Sequence, residues 1–165
     1  MRVLGIDPGS AATGYGVVED DGVRLRALAF GAISPPPGLP FPRRLLHIYR
    51  ELHAVLSEMK PDCAAVEAVF FARNVQSALR LGQARGVALL ALAEGALPVH
   101  EYSALEVKQA VTSYGQAPKE QVQEMVRLLL RLPDPPEPQD AADALAVAIC
   151  HHQGARLRAR LEDRP

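Results

Sequence analysis

The chain has 165 residues, of which 48% are hydrophobic and 22% charged, a composition that suits one globular domain with a full core. Its net charge of −1 gives no indication of a polyanionic partner, so any contact with nucleic acid requires a local basic surface. The sequence has no apolar run of membrane-spanning length, no cleavable signal, and only two cysteines, which lie far apart. These features exclude a membrane span and predict a cytoplasmic protein without membrane contact.

The first half of the chain predicts three strands and a helix. Residues 2–6, 14–18 and 23–33 are predicted strands separated by turn residues, so that they form an antiparallel meander. The proline-rich residues 34–42 are a predicted loop. A stripe of apolar residues at helical spacing then predicts a helix that ends at Pro61; it consists of Leu45, Tyr49, Leu52, Leu56 and Met59.

The second half predicts a buried strand at residues 63–66, a long helix at 74–94, a short strand at 97–101, and helices near 104–111, 119–130 and from 139 onwards. This order of elements indicates an α/β fold with a mixed sheet of about five strands, flanked by helices. We expect one domain over residues 1–154. Residues 155–165 form a basic tail, and the sequence leaves its order open.

Acidic residues end three of these elements. Asp7 follows the first strand, Glu67 follows the strand at 63–66, and Asp140 and Asp143 open the last, otherwise apolar, helix. A spacing of three residues places the two aspartates on one helix face. If the first strand and the strand before Glu67 are parallel neighbours, all four carboxylates meet at one edge of the sheet.

Each carboxylate also has a purely structural interpretation. Asp7 precedes Pro-Gly and suits a turn, and Glu67 suits an exposed strand boundary. Asp140 followed three residues later by Asp143 resembles a capping box. For each residue alone, both the structural interpretation and the site interpretation stay open. Taken together, the structural interpretations are weaker, because three separate elements each carry a carboxylate at one end.

Four clustered carboxylates repel one another and therefore require shared protons or cations. Ligand sets made only of oxygen select hard ions, so we expect Mg²⁺, with Mn²⁺ as a substitute. Carboxylates that bind two such ions are the usual arrangement for in-line displacement at phosphorus. The residues by themselves therefore predict a metal-dependent phosphodiesterase.

Three motifs, in the same order along the chain, resemble the RuvC family of Holliday-junction resolvases. They are the turn Asp7-Pro-Gly-Ser10 with the glycine-rich stretch after it, the stretch from Glu67 to Gly86, and the helix from Asp140 to His151. The resemblance implies a ribonuclease H-like fold, a homodimer, and a Mg²⁺-dependent endonuclease with two ions per site. It further implies symmetric paired nicks in four-way junctions that leave 5′-phosphate and 3′-hydroxyl ends, and cooperation with the branch-migration proteins RuvA and RuvB in recombination and repair.

The resemblance also assigns roles to individual residues. The family's four catalytic and metal-binding acids fall on Asp7, Glu67, Asp140 and Asp143. Phe70 matches an aromatic residue that engages bases near the crossover, and Lys108 and Lys119 match positions that contact DNA phosphates. Arg73 belongs to the same candidate basic region, as do Arg80 and Arg85. Without the resemblance, Phe70 suits a hydrophobic core and both lysines suit solvated helix surfaces.

Two further features keep two interpretations each. The helix at 74–94 carries Ala78, Gly82 and Gly86 at four-residue steps, which suits either a dimer interface, as the resemblance implies, or tight packing on its own sheet. His151 suits either a supporting role near the acids or, more simply, the protein surface.

Three rival functions fit less well. The turn at residues 3–10 is similar to the first phosphate-binding turn of the actin, heat-shock chaperone and sugar-kinase group, but the chain has neither a second lobe nor a second glycine-rich phosphate motif. YqgF-type proteins share the fold and the Asp7 turn but lack the two later motifs. A junction-binding protein without catalysis is disfavoured by the intact acidic set.

Overall fold

A computed structural model of the chain describes residues 1–68 and 74–162, with side chains up to residue 157. Its elements are β1 (Arg2–Asp7), β2 (Thr13–Asp20), β3 (Leu25–Ile33), α1 (Phe41–Met59), β4 (Cys63–Ala68), α2 (Val75–Glu94), β5 (Val99–Ser103), α3 (Ala104–Thr112), α4 (Lys119–Leu130) and α5 (Gln139–Glu162). Every predicted element is present. The last strand lies two residues later than predicted, and α5 continues into the predicted tail. None of the helices in the described part is long and apolar enough to cross a membrane.

The five strands form one mixed sheet in the order β3-β2-β1-β4-β5. The first three strands are antiparallel neighbours, whereas β4 is parallel to β1 and β5 is parallel to β4. Val3 of β1 pairs with Cys63 of β4, and Ile6 pairs with Val66. The α/β class, the mixed five-stranded sheet and the antiparallel meander are therefore confirmed, and β1 and β4 end side by side.

Each face of the sheet has its own core. On one face, Leu4, Ile6 and Val66 pack with buried residues of α1 and α2. On the other, Val3, Cys63 and Ala65 pack with α3, α4 and the apolar length of α5. The alternation of side chains along each strand explains this division, because neighbouring residues of a strand point to opposite faces.

Helix α5 lies unusually close to the sheet because glycines face it. A Cβ atom added to Gly5 would lie 2.0 Å from the backbone oxygen of Ala144, and one added to Gly14 would lie 2.0 Å from that of Asp140. No side chain fits in either place. The closest approach thus occurs where α5 carries its two aspartates, beside the ends of β1 and β2.

Candidate active site

The two strand-end carboxylates project from the same face of the sheet. Val3 belongs to the core on the α5 side, and an added Cβ on Gly5 would meet α5, so the alternation along β1 directs Asp7 toward that helix. The side chains of Cys63 and Ala65 in β4 also face α5, and Glu67, two residues further along the strand, faces the same side. Asp7 is the last residue of β1 and Glu67 the penultimate residue of β4, and both are half-buried, so the interpretation of Glu67 as an exposed boundary residue is wrong.

The turn after Asp7 is fixed by a buried threonine. The hydroxyl of Thr13 donates to the carbonyl oxygen of Gly9 at 2.9 Å and accepts from the Gly9 amide at 3.4 Å. Thr13 begins β2, and the next residue, Gly14, pairs with Asp7. The turn residues therefore hold the end of β1 in place, so that the turn-forming role and a site role of Asp7 are compatible.

The other two acids come from the first turn and a half of α5. Asp140 lies over Gly14, the strand partner of Asp7, and the Asp143 carboxylate accepts a hydrogen bond from the Gln139 side chain at 3.0 Å. The helix begins at Gln139, so Asp140 lies inside the first turn and the capping-box interpretation is wrong. Gln139 is a site residue that the sequence analysis missed, although its position four residues before Asp143 places it on the same helix face.

A cavity of about 320 Å³ connects these groups. It is lined by Asp7, Glu67, Asp143, Lys108 and Lys119, and its remaining lining is apolar: Ala104, Val107, Val122 and Ala146. Lys119 approaches Asp143 with 3.7 Å between Nζ and Oδ2, while most of its side chain is exposed. The structure therefore brings three of the four predicted acids and both predicted lysines to one cavity, whereas Asp140 lies outside the lining, over the strand partner of Asp7.

The electrostatics show that the acids are close and poorly compensated. Burial, followed by the charges of Glu67, Asp143 and Asp140, raises the pKa of Asp7 from 3.8 to about 8. Burial raises the pKa of Glu67 as well, together with the charge of Asp143. Burial also raises the pKa of Asp143, against the opposing effects of the Gln139 hydrogen bond and Lys119. Because the pKa of Asp7 is raised to about 8, this carboxyl group carries a proton at neutral pH when no cation is bound.

This donor set fits hard divalent cations. The four side chains offer only carboxylate oxygen, and the two lysines that line the cavity, Lys108 and Lys119, only partly offset the charges of Glu67 and Asp143. Cations bound among the acids would replace the proton that Asp7 holds and offset the mutual repulsion. The residues that would hold them are Asp7, Glu67, Asp140 and Asp143.

The raised pKa of Asp7 predicts how stability depends on pH without divalent cations. The folded state binds a proton more tightly than the unfolded state, so the free energy of unfolding falls as pH rises from about 4 to about 8. Thermal unfolding in EDTA should therefore show a melting temperature that decreases across this range. Mg²⁺ should reduce the decrease, and Asp7→Asn should remove most of it; an unchanged slope in that variant would contradict the assignment.

Other predicted residues lie elsewhere or outside the described part. Phe70 and Arg73 are outside the described residues. Arg85 forms an ion pair with Glu101 at 2.6 Å, away from the acids. His151 is buried, with 3% of its surface exposed, so the surface position is wrong. The reason is that α5 runs as a central helix across the sheet, and its eighth residue after Asp143 still packs against it.

A ribonuclease H-like sheet with clustered carboxylates beside two parallel strand ends defines the class of nucleases that act with divalent cations. Comparison with known proteins narrows the class. The family model described as "Crossover junction endodeoxyribonuclease RuvC" matches residues 3–151. The RuvC of Chloroflexus aurantiacus is 58% identical over 151 residues, 92% of each chain, and that of Thermomicrobium roseum is 56% identical over 162 residues, 98% of each chain.

Comparison with solved structures points to the same family as the sequence relatives. The structure of Thermus thermophilus RuvC in complex with a Holliday junction substrate has a TM-score of 0.90 and 39% identity, and the alignment covers 96% of each chain. The yeast mitochondrial Holliday junction resolvase shares the fold alone, with a TM-score of 0.63 and 15% identity over 95% of this chain and 82% of that one. The chain belongs to the RuvC family of crossover junction endodeoxyribonucleases.

Proposed function

We propose that this protein resolves four-way DNA junctions by hydrolysing one phosphodiester bond in each of two strands, with Asp7, Glu67, Asp140 and Asp143 as its catalytic acids. The observation that carries the proposal is the cavity in which Asp7, Glu67 and Asp143 meet, with Asp140 over the strand partner of Asp7; burial and the neighbouring carboxylates raise the pKa of Asp7 there. Burying four acids together without partners destabilises the folded state. The arrangement becomes favourable only with cations, and Mg²⁺, two per site, suits oxygen ligands best, with Mn²⁺ as a substitute.

The side chains around the cavity have different roles in the hydrolysis. When bound, the cations supply positive charge that acidifies an attacking water and stabilises the leaving oxygen. The acids fix the positions of these charges, since Gln139 orients Asp143 and the Thr13 turn orients Asp7. Val107 and Val122 keep one side of the cavity apolar, which strengthens electrostatic interactions within it. A bond forms between the water oxygen and phosphorus, and the bond from phosphorus to the 3′ oxygen breaks, leaving 5′-phosphate and 3′-hydroxyl ends.

The proposal is tested with a labelled four-way junction and purified protein in Mg²⁺, in Mn²⁺ or in EDTA, with products separated on a denaturing gel. We expect paired nicks at symmetric positions with either ion and none in EDTA. Ligation of the products would establish the end chemistry. Cutting in EDTA, or cutting of linear duplex as fast as of junctions, would contradict the proposal.

Lys108 and Lys119 support DNA binding from their positions at the cavity. Both line it, and Lys119 begins α4 with an exposed side chain. A phosphate that enters the cavity must pass the acids, so cationic side chains at its edge reduce the repulsion. We propose that both lysines contact phosphates of the junction. Phe70 and Arg73 are the second and fifth residues after β4 in the sequence, and we propose them as further DNA contacts on the strength of the family motif.

We predict that Lys108→Gln and Lys119→Gln each weaken junction binding and reduce its dependence on salt. Loss of one phosphate contact lowers the slope of log affinity against log salt by about 0.9. The measurement is a fluorescence anisotropy titration at several salt concentrations with Ca²⁺ in place of Mg²⁺. The control is Lys60→Gln, because Lys60 follows α1 and precedes β4, so that it lies near the end of β4 opposite to Glu67. An unchanged slope in both cavity variants would remove them from the interface.

The exposed face of α2 supports a homodimer. Val75, Leu79 and Leu90 are 77%, 63% and 59% exposed, whereas the buried residues of α2 lie on its other side and in its second half: Ala84, Ala88, Ala91 and Leu92. Among the residues that the structure describes, nothing lies within 4 Å of a Cβ added to Gly82 or Gly86. The glycines therefore do not serve packing on the chain's own sheet, so that interpretation is wrong. An apolar stripe with small residues at its centre suits close approach of a second copy.

We predict that Leu79→Glu converts the dimer to a monomer, because it places a charge in the centre of this stripe. Sedimentation velocity at micromolar concentration measures the change. Leu128→Glu is the matched control, since Leu128 is comparably exposed on α4 and lies outside the stripe. A monomeric wild-type chain, or a dimeric Leu79→Glu variant, would refute this interface. Paired nicks would be lost together with the dimer.

The wider context follows from family membership. We propose that the protein acts in the cytoplasm during recombination and DNA repair, on junctions supplied by RuvA and RuvB. The free, buried thiols of Cys63 and Cys150 are compatible with a reducing compartment. The nuclease domain comprises residues 1–154, and the basic residues after it form the tail.

A further inference from the structure

A second group of metal-ligand side chains lies on the α5 side of the sheet, separate from the acids. The Sγ atom of Cys63 and ring nitrogens of His100 and His151 all lie within 4.8 Å of one another. Cys63 begins β4, His100 belongs to β5, and His151 belongs to α5. This group, which we call the Cys-His cluster, therefore joins three elements of the fold.

The Cys-His cluster is distinct from the acidic cavity. Cys63 precedes Glu67 by four strand residues, which corresponds to about 13 Å. His151 follows Asp143 by eight helix residues, which corresponds to about 12 Å. Neither distance allows one ion to contact both groups. The cluster also offers sulfur and imidazole nitrogen, whereas the cavity offers carboxylate oxygen.

The distance between two of the ligand atoms already matches a bound zinc ion. Zinc–sulfur and zinc–nitrogen bonds of about 2.3 and 2.05 Å at a tetrahedral angle place the two ligand atoms about 3.6 Å apart. In the structure, Cys63 Sγ and His151 Nε2 are 3.5 Å apart. The His100 ring lies 4.5 Å from the His151 ring between centroids and is exposed at the edge of the group, so it can turn toward the other two without disturbing the core.

The second nitrogen of His151 contacts a tyrosine. Tyr102 Oη lies 2.9 Å from His151 Nδ1. If Nδ1 donates its proton to this oxygen, the lone pair of Nε2 is directed at Cys63. Histidines that bind metals almost always use their other nitrogen in this manner, which fixes both the tautomer and the ring orientation. Tyr102 is thus a positioning residue rather than a ligand.

We propose that Cys63, His100 and His151 bind one divalent cation of the zinc class, with Tyr102 orienting His151. Two imidazoles and one thiolate select a borderline-soft ion over Mg²⁺. Because the ligands come from β4, β5 and α5, the ion links the last strand to the strand and helix that carry Glu67 and Asp143. The site is structural and needs no junction DNA, so the proposal does not depend on the proposed function.

Co²⁺ titration of the full chain tests the proposal. A thiolate ligand gives cobalt a near-ultraviolet charge-transfer band that the carboxylates of the acidic cavity cannot produce. With excess Mg²⁺ present to occupy the acidic cavity, we expect this band to saturate at one Co²⁺ per chain and to disappear on adding Zn²⁺. It should be absent in Cys63→Ser and unchanged in Cys150→Ser, the matched variant of the other buried thiol. Circular dichroism verifies that both variants fold.

Two further variants keep the test decisive. His100 is exposed, so His100→Ala should fold normally and should weaken Zn²⁺ binding at least tenfold. Tyr102→Phe should weaken it about 10–100-fold without removing the charge-transfer band, as expected of a partner behind a ligand. A wild-type chain without the band, or a Cys63→Ser variant that keeps it, would overturn the proposal. Unchanged Zn²⁺ affinity in His100→Ala would overturn the three-ligand site.

Discussion

Asp7→Asn is expected to lower the rate of junction cutting by about 10³-fold or more while leaving junction binding largely intact. Asp7 is the most strongly perturbed acid of the cavity, and its pKa is raised by its three acidic neighbours as well as by burial. A ligand that fixes a catalytic cation is worth several kcal/mol of transition-state stabilisation, and each 1.36 kcal/mol corresponds to about tenfold in rate. Single-turnover cutting with saturating protein measures the chemical step apart from binding.

Stability provides a second readout of the same substitution. Asp7 destabilises the folded state at neutral pH, because the folded protein keeps a proton that the unfolded chain releases. Asn does not ionise, so Asp7→Asn removes this destabilisation. Since one pKa unit corresponds to about 1.4 kcal/mol, we expect the variant in EDTA to be more stable than the wild type by more than about 1 kcal/mol at pH 8. At pH 4 the two should be equal. Asp134→Asn, in an exposed loop, is the control for both measurements.

A variant that is inactive and also destabilised at pH 8 would show that Asp7 is needed for folding rather than for chemistry. Normal cutting by Asp7→Asn would remove it from the metal-binding set. Each outcome separates the catalytic role of the residue from its role in the turn.

Gly5→Ala is expected to destabilise the fold strongly for a substitution that adds one methyl group. Its new Cβ would lie 2.0 Å from the Ala144 oxygen and 2.9 Å from the Ala148 nitrogen, and both are backbone atoms. Helix α5 would have to move away by more than an ångström. Overpacking of this kind costs 1–3 kcal/mol and occasionally more, so we expect about 3 kcal/mol. At 2–4 °C per kcal/mol, the melting temperature falls by roughly 10 °C.

The same movement should impair cutting, because Ala144 follows Asp143 directly. A misplacement of about 1 Å can cost 10²-fold in rate, and here it separates two of the acids from the other two. Gly31→Ala is the matched strand control: its nearest neighbours are ring atoms of Tyr15 at 3.1 Å, which can shift. We expect that variant to stay within about 1 kcal/mol of the wild type and to cut normally. Equal effects in both variants would show that α5 is not held against β1 in the manner described.

Much of the fold was predictable because the local signals are strong. The stripe of α1, the turn residues between β1, β2 and β3, and the buried runs of β1 and β4 each identify their element without knowledge of its neighbours. The four acids were found for a related reason. A carboxylate at the end of an apolar element is costly unless it has a partner, and Asp7, Glu67 and Asp143 each stand in that position.

Residues whose role depends on a neighbour distant in sequence were not predictable. His151 reads as a surface histidine beside the basic tail, but it is buried because α5 crosses the sheet as far as β4 and β5. The glycines of α2 fit internal packing and a dimer surface equally well until the open space beside them is seen. Gly5 and Gly14 carry no recognisable signal either, since their function is to admit a helix more than 120 residues later in the chain.

The sequence by itself determined the elements and the class of fold and predicted the four acids as candidates, since these follow from local periodicity and from the energetic cost of burying charge. The tertiary structure decided how those acids interact, because their repulsion depends on the register of β1 with β4 and on the close approach of α5. It alone brought Cys63, His100 and His151 together, since contacts between distant residues are fixed by topology rather than by spacing along the chain.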